Sequence, residues 1–290
     1  MYLLKNYFLH SLVLLSFAVT SLQAESLHGI LWQIDKGRSQ PSYLLGTMHS
    51  DDPRILNLPV EIKQKFEQAD SFSAELKMDM LSLLESQGMM MFTDGRKLSD
   101  LLSRSQYRQC VRLMAERGMP EMLVENMKPW AVAAQLNLPK SQSGIFLDMM
   151  LYQQASADGK HVYGLETIEE QIGVFDGMTE KEQILFLDES IKQVDEVPEM
   201  IRNITRFYLD RDLSGLKDYS DRLMQRNPAH LTEIFKKRLI VDRNERMVER
   251  MQVRLDEGNA FIAVGALHLP GRKGILNILK GQGYQVRAVY

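Results

Sequence analysis

Short apolar runs of strand length alternate along the chain with longer amphipathic stretches of helix length. Residues 31–34 and 43–45 are apolar runs flanking a polar stretch that holds Gly37 and Pro41. Two such runs joined by turn-forming residues predict a β-hairpin. The second run leads directly into Gly46-Thr47-Met48-His49, and a loop with Asp51, Asp52 and Pro53 follows. Pro59 opens a predicted helix that extends to about Ala69, because the fixed φ of proline suits a first helical turn. Residues 71–76 predict a third strand that delivers Glu75 at its end.

The middle of the chain is helical in pattern. Ser99 suits the cap of a short helix, and residues 104–118 form an amphipathic stretch that stops at Gly118, with Pro120 just beyond. Residues 129–138 start on a proline, and residues 145–157 predict a further helix closed by Gly159. Residues 162–165 predict a strand preceded by His161 and ending at Glu166. Thr179 followed by Glu182 is a capping-box signature for a long helix. Helices then run to about Asp256, the last beginning near Leu231. Residues 260–264 return to an apolar strand that runs into Gly265-Ala266-Leu267-His268. A helix over 273–280, Gly283 and a final strand over 285–289 close the chain. The expected fold is α/β, with a mixed, partly parallel sheet built from N- and C-terminal strands and a helical middle insertion. Strands that alternate with helices imply the parallel part.

The first residues follow a different plan. Lys5 is the only charged residue before Glu25; residues 12–19 are apolar, and Ser21, Leu22 and Ala24 offer a cleavage region. This predicts a signal peptide over 1–24, a mature domain over 25–290, and a periplasmic or secreted location. The apolar centre is short for a membrane span, which takes ~20 apolar residues, and no other segment is long and apolar enough. The single cysteine, Cys110, cannot form an internal disulfide and falls on a helical pattern as a buried thiol. Basic and acidic residues are mixed and the formal charge is only −3, so the basic stripe of a nucleic-acid binder is missing. The many methionines, including Met89-Met90-Met91, read as helix core.

Chemistry concentrates where strands end. Both Gly-x-x-His copies, Gly46–His49 and Gly265–His268, follow apolar strands, and Glu75 and Glu166 end two others. In open α/β sheets, ligands gather at the carboxyl ends of strands. If these strands are neighbours, two imidazoles and two carboxylates converge, a donor set that suits a divalent transition metal. A carboxylate outside that set would act as general base on water. Arg243 and Asn244 would stabilise a developing oxyanion or orient a substrate. His28, His161 and His230 read as structural or solvent-facing, Asp51 and Asp52 as solvated loop carboxylates, and Glu169, Glu170, Glu180 and Glu182 as helix-start charges.

At these residues the chain resembles the TraB/GumN family, related to the TIKI metalloproteases. The matching stretches are Leu44-Leu45-Gly46-Thr47-Met48-His49, Ser73-Ala74-Glu75, Asp148-x-x-Leu151 with Gly159-Lys160, and Tyr163-Gly164-Leu165-Glu166-Thr167-x-x-Glu170-Gln171. Arg243-Asn244-x-x-Met247 and Phe261-Ile262-Ala263-Val264-Gly265-Ala266-Leu267-His268-Leu269-x-Gly271 complete the set. The resemblance implies a fold like that of the erythromycin-esterase and haem-binding ChaN-like group, and metal-dependent peptidase chemistry. With the strand-end set it leads to His49, His268 and Glu75 as ligands of Mn²⁺, Co²⁺ or Zn²⁺, and to Glu166, Arg243 and Asn244 as catalytic groups. Gly46, Thr47, Asp148 and Gly265 are the expected substrate-binding residues, and a peptide or small molecule the expected substrate. Two other readings use the same cleft: a non-catalytic periplasmic protein that binds a peptide or haem, and a metal-independent esterase with His49 as general base.

Overall fold

The computed structural model describes residues 27–37, 40–139 and 144–290, so the expected signal segment lies outside the described residues. Strands β1 (Leu31–Asp35), β2 (Ser42–Thr47), β3 (Ser71–Ala74), β4 (His161–Gly164), β5 (Ala260–Gly265) and β6 (Gln285–Ala288) form one sheet. Their spatial order is β4-β3-β5-β2-β1-β6. β1 and β2 make the expected antiparallel hairpin, with Leu31 opposite Leu45, and β6 pairs antiparallel to the other side of β1. β2, β3 and β5 run parallel, and β4 joins them parallel to β3.

Position in the sheet explains the strand sequences. β5, Ala-Phe-Ile-Ala-Val-Gly, is flanked on both sides, and Ala260 to Val264 are fully buried. A parallel strand covered on both faces is apolar along its length rather than alternating. β6 lies at the edge and is mostly exposed. Parallel neighbours require long crossovers, and these make up the helical middle. Residues 75–160 connect β3 to β4, and residues 165–259 connect β4 to β5. The middle is therefore two crossovers separated by a strand. Element ends shift by a few residues from the sequence expectation: β3 stops at Ala74, the helix expected from 145 starts at Leu147, and the helix expected from 273 starts at Ile275.

Apolar side chains collect in two main groups. One packs on the sheet, where Phe66 meets Phe72 and Phe261 edge-on, at 5.7 and 5.3 Å between ring centroids. The other is a helical cluster around Trp130, drawn from both crossovers. Cys110 is buried in this second cluster, and Met89, Met90 and Met91 pack against it. No helix among the described residues is long and apolar enough to cross a membrane.

The parallel register fixes where chemistry can gather. Thr47 lies beside Gly265, and Ala74 lies beside both Ala263 and Gly164. The four parallel strands thus end along one edge, and His49, Glu75, Glu166 and His268 each follow within three residues of a strand end.

Candidate functional site

Three of these four residues open onto a common space. A cavity of about 310 Å³ is lined by Thr47, His49, Glu75, Arg243, Gly265 and His268, among others. A second, of about 210 Å³, is lined by His49, Glu75 and Asp148. Glu166 lines neither cavity.

Two glycines make room for this edge through space rather than backbone freedom. A Cβ on Gly46 would lie 2.8 Å from the Leu269 side chain and 3.1 Å from the Ala266 backbone. Gly46 is buried, and its carbonyl accepts from the Tyr208 hydroxyl at 2.9 Å. It therefore packs against the segment carrying His268. Gly265 donates its amide to Glu75 Oε1 at 2.7 Å, and a Cβ there would stand 3.3 Å from the same oxygen.

His268 is buried and held in one tautomer. Asn244 Nδ2 donates to the Lys273 carbonyl at 2.7 Å, which turns Asn244 Oδ1 toward His268 Nδ1, 2.6 Å away. An oxygen there can only accept, so Nδ1 carries the proton and Nε2 keeps its lone pair. Nε2 lies 3.6 Å from Glu75 Oε1. Burial lowers the His268 pKa to about 4, with Arg243 and His49 adding to the effect against the pull of Glu75. The ring is therefore neutral near pH 7. Asn244 is fully buried and uses its amide oxygen and one amide N–H in this way, so it orients His268.

Glu75 accepts three hydrogen bonds among the described residues. Oε1 takes the Gly265 amide, and Oε2 accepts from Arg243 at 2.6 Å and from Gln171 at 3.0 Å. Burial alone would raise its pKa; the charge that His268 carries when protonated, the permanent charge of Arg243, then His49 when protonated and the Gly265 amide, reverse this and hold it at about 2. Glu75 is thus a fixed anion.

His49 and Asp148 are held more loosely. The His49 side chain is 49% exposed and stacks on Phe146, with ring centroids 4.8 Å apart. Asp148 sits in the first turn of the Leu147–Ala157 helix and is buried. Its Oδ1 accepts from the Thr47 hydroxyl at 2.6 Å. Oδ2 faces His49 Nε2 at 3.6 Å and is one of two buried side-chain polar atoms left without a partner among the described residues, with Ser73 Oγ. Burial raises the Asp148 pKa, against the pulls of His49 and Thr47. Thr47 thus acts on Asp148, and Asp148 stands with the histidines rather than as a separate substrate contact.

Arg243 binds two carboxylates. Its Nε and Nη2 donate to Glu166 Oε2 at 2.8 and 2.7 Å, and Nη2 also donates to Glu75. The other oxygen of Glu166 accepts from Arg246 at 2.9 Å. With its side chain at 0% exposure and both oxygens engaged by arginines, Glu166 anchors Arg243. Arg243 Nη1 carries no hydrogen bond among the described residues, and Arg243 lines the larger cavity.

The donor chemistry fits a divalent ion. Two ligand atoms on a tetrahedral ion, each about 2.0–2.2 Å from it, stand about 3.4 Å apart. Both histidine–carboxylate pairs are at 3.6 Å, too long for hydrogen bonds. The Nε2 lone pair of His268 is a group that an ion would satisfy, and the unpartnered Asp148 oxygen one that a water beside the ion would satisfy. Among the described residues, no three His, Cys, Asp or Glu side chains stand close enough as placed to close a site. Binding an ion would therefore need an adjustment, and His49, as the exposed member, is free to make it.

Arg246, Gln171, Tyr208 and Phe146 were not among the sequence candidates. Arg246 had a legible signal, lying one helical turn from Arg243 on the Asp242–Glu257 helix and so on the same face. Gln171 falls within a family-like stretch. Nothing local marks Tyr208 or Phe146. His28, His161 and His230 line neither cavity, and His230 pairs with Glu182 at 2.5 Å.

Among curated proteins, metalloprotease TIKI2 of Danio rerio is 24% identical over 320 aligned positions, which cover 90% of this chain and 61% of that protein. Metalloprotease TIKI1 of Xenopus tropicalis is 25% identical over 313 positions, covering 90% and 61%. Metalloprotease TIKI1 of Homo sapiens is 26% identical over 317 positions, covering 91% and 62%. The chain thus spans less than two thirds of the length of these relatives. No solved structure matches it significantly. The model of the TraB/PrgY/gumN family matches residues 30–288, and the chain belongs to that family.

Proposed function

We propose that the chain is a metal-dependent peptidase. The observation that carries this is the pair of histidine–carboxylate couples at 3.6 Å, His268 with Glu75 and His49 with Asp148, on one edge of a parallel sheet. Similarity to the TIKI metalloproteases supports it. His49, His268 and Glu75 would hold the ion; the nitrogen and carboxylate donors suit Mn²⁺, Co²⁺ or Zn²⁺. When bound, such an ion supplies Lewis acidity and lowers the pKa of water.

The remaining residues have separable tasks. Asn244 keeps the His268 tautomer that exposes Nε2. Thr47 fixes one oxygen of Asp148 and leaves Oδ2 to accept the proton from the attacking water. Arg243, anchored by Glu166, offers Nη1–H to a peptide carbonyl as negative charge grows on its oxygen. Gln171 and the Gly265 amide hold Glu75 in place. Export by residues 1–24 is part of the proposal and would place the activity outside the cytoplasm.

The test is metal content and turnover together. The purified chain, supplied with Mn²⁺, Co²⁺ or Zn²⁺, should retain the ion and cut peptides, and His49→Ala with His268→Ala should abolish both. No retained ion, together with no difference between wild type and the double variant, overturns the proposal. Full activity in chelator would favour the metal-independent reading with His49 as base, and tight binding of peptide or haem without turnover would favour a binding protein.

A further inference from the structure

The two cavities that Glu75 lines share only His49 and Glu75 among the described residues that line them. They are therefore two separate recesses that meet at the candidate centre. The smaller, about 210 Å³, is walled by Leu83, Met90, Phe146, Ile168 and Ile172. The larger, about 310 Å³, is walled by Met48, Ile204, Leu216, Leu239, Ile240 and Leu267. Sites for whole drug-sized ligands run from about 300 to 1,000 Å³. The smaller recess is below that range and the larger at its bottom, so each is small for a whole ligand and has room for a side chain.

We propose, on the basis of the peptidase reading above, that the substrate is an extended polypeptide cut between two apolar residues, with one side chain in each recess. Two further observations favour a chain over a small molecule or a free terminus. The Met80–Met89 helix, which contributes Leu83 to the smaller recess, carries an exposed apolar surface away from it: Met80 is 72% exposed, Leu81 66% and Leu84 57%. A substrate that continues past the recess has apolar surface to run along. In the larger recess the charge of Arg243 is already met by Glu75 and Glu166, so it offers an N–H to a neutral carbonyl rather than an unpaired charge to a terminal carboxylate. Methionines in both walls allow side chains of different shape to be accepted. Among the described residues, Lys77 is the one charged lining residue of the smaller recess outside the histidine–carboxylate couples, and it gives the alternative of an acidic side chain at that position.

The test uses the full chain and end-blocked, fluorescently labelled decapeptides whose central pair is Leu-Phe, Ala-Ala or Asp-Phe. Affinity is read by anisotropy on metal-free protein, and products by mass spectrometry after adding Mn²⁺, Co²⁺ or Zn²⁺. Leu-Phe should bind at least about 10-fold more tightly than Ala-Ala, the scale set by filling apolar pockets with a few methylenes. Leu83→Trp, at a part-exposed position, should select against a large residue on one side of the cut, and Ile240→Trp on the other. Equal binding of Leu-Phe and Ala-Ala, preference for Asp-Phe, or variants that shift both positions alike overturns the inference. Selective binding without cutting removes the peptidase reading and leaves the recognition standing; cutting with no side-chain preference does the reverse.

Discussion

Asn244 is the residue on which the state of His268 rests, and Asn244→Leu tests that directly. The substitution roughly conserves volume and removes both polar ends of a side chain that is fully buried. His268 Nδ1–H then loses its acceptor at 2.6 Å, inside a pocket that leaves His268 only 5% exposed. An unsatisfied buried donor costs about 1–3 kcal/mol. The other orphaned group, the Lys273 carbonyl, belongs to an exposed residue and can rehydrate, so it adds little. The net expectation is a loss of about 1–3 kcal/mol, and at roughly 2–4 °C per kcal/mol for a chain of this size the melting midpoint drops by several degrees.

Stability alone would not separate orientation from packing, so the tautomer is read as well. Nitrogen-15 correlation spectra of wild-type protein should show His268 protonated at Nδ1, and Asn244→Leu should show a mixture. Asn244→Asp keeps an acceptor toward the ring and should retain the Nδ1–H tautomer while losing the bond to Lys273. If His268 ligates an ion, loss of its orienting partner should weaken metal retention by about 10- to 100-fold. A stability change within about 0.5 kcal/mol, the level of an uninvolved surface site, together with an unchanged tautomer in Asn244→Leu, would refute the reasoning.

Two other outcomes follow from the same electrostatics. The His268 pKa is lowered from 6.5 to about 4, so the unfolded chain takes up this proton first as pH falls; the stability it contributes is full above about 6.5 and is lost toward pH 4. Glu75, held at about 2 against an ordinary 4.5, extends the loss from about pH 4.5 downward, and urea midpoints across pH 7 to 4.5 should decline in wild type but flatten in His268→Phe. Cys110, whose thiol burial pushes up to about 12, should resist a disulfide reagent at pH 8 in the folded chain and react fully in urea. Rapid reaction of the folded protein would show that the helical cluster around it opens.

The sheet was legible because its strands are short apolar runs with sharp ends, and because strand ends in a parallel sheet share one edge. Periodicity reports the local environment, so it located His49, Glu75, Glu166 and His268 without saying what each would touch. Glu166 illustrates the limit. As a strand-end carboxylate it resembles Glu75, but the Asp242–Glu257 helix lays Arg243 and Arg246 across it from 77 and 80 residues away. Asp148 shows the same limit: the family resemblance marks it only as an expected substrate-binding residue. Only the fold brings Thr47, 101 residues distant, onto one oxygen and leaves the other facing His49. Gly46, an expected substrate-binding residue, packs against Leu269 and Ala266 across the edge, contacts that no local pattern shows.

The two halves of the site differ in how firmly they are held, and this bears on how the site would work. On the β5 side, His268 and Glu75 are both buried, and Asn244, Gly265, Gln171 and Arg243 fix their orientation. Moving Glu75 would break charge-assisted bonds, and moving His268 its bond to Asn244, in a low-dielectric setting where each is worth more than in water. On the β2 side, His49 is half exposed and held by a ring stack, and Asp148 has one oxygen unengaged. Ligand binding should therefore be accommodated by His49 turning toward a preset His268–Glu75 couple, with little change in the couple itself. Preorganisation of one half lowers the ordering cost of assembling the whole, and an adjustable second half gives a substrate entry before the set of donors closes. The same asymmetry explains why substitutions behind His268 should be read first as stability effects, and substitutions around His49 first as binding effects.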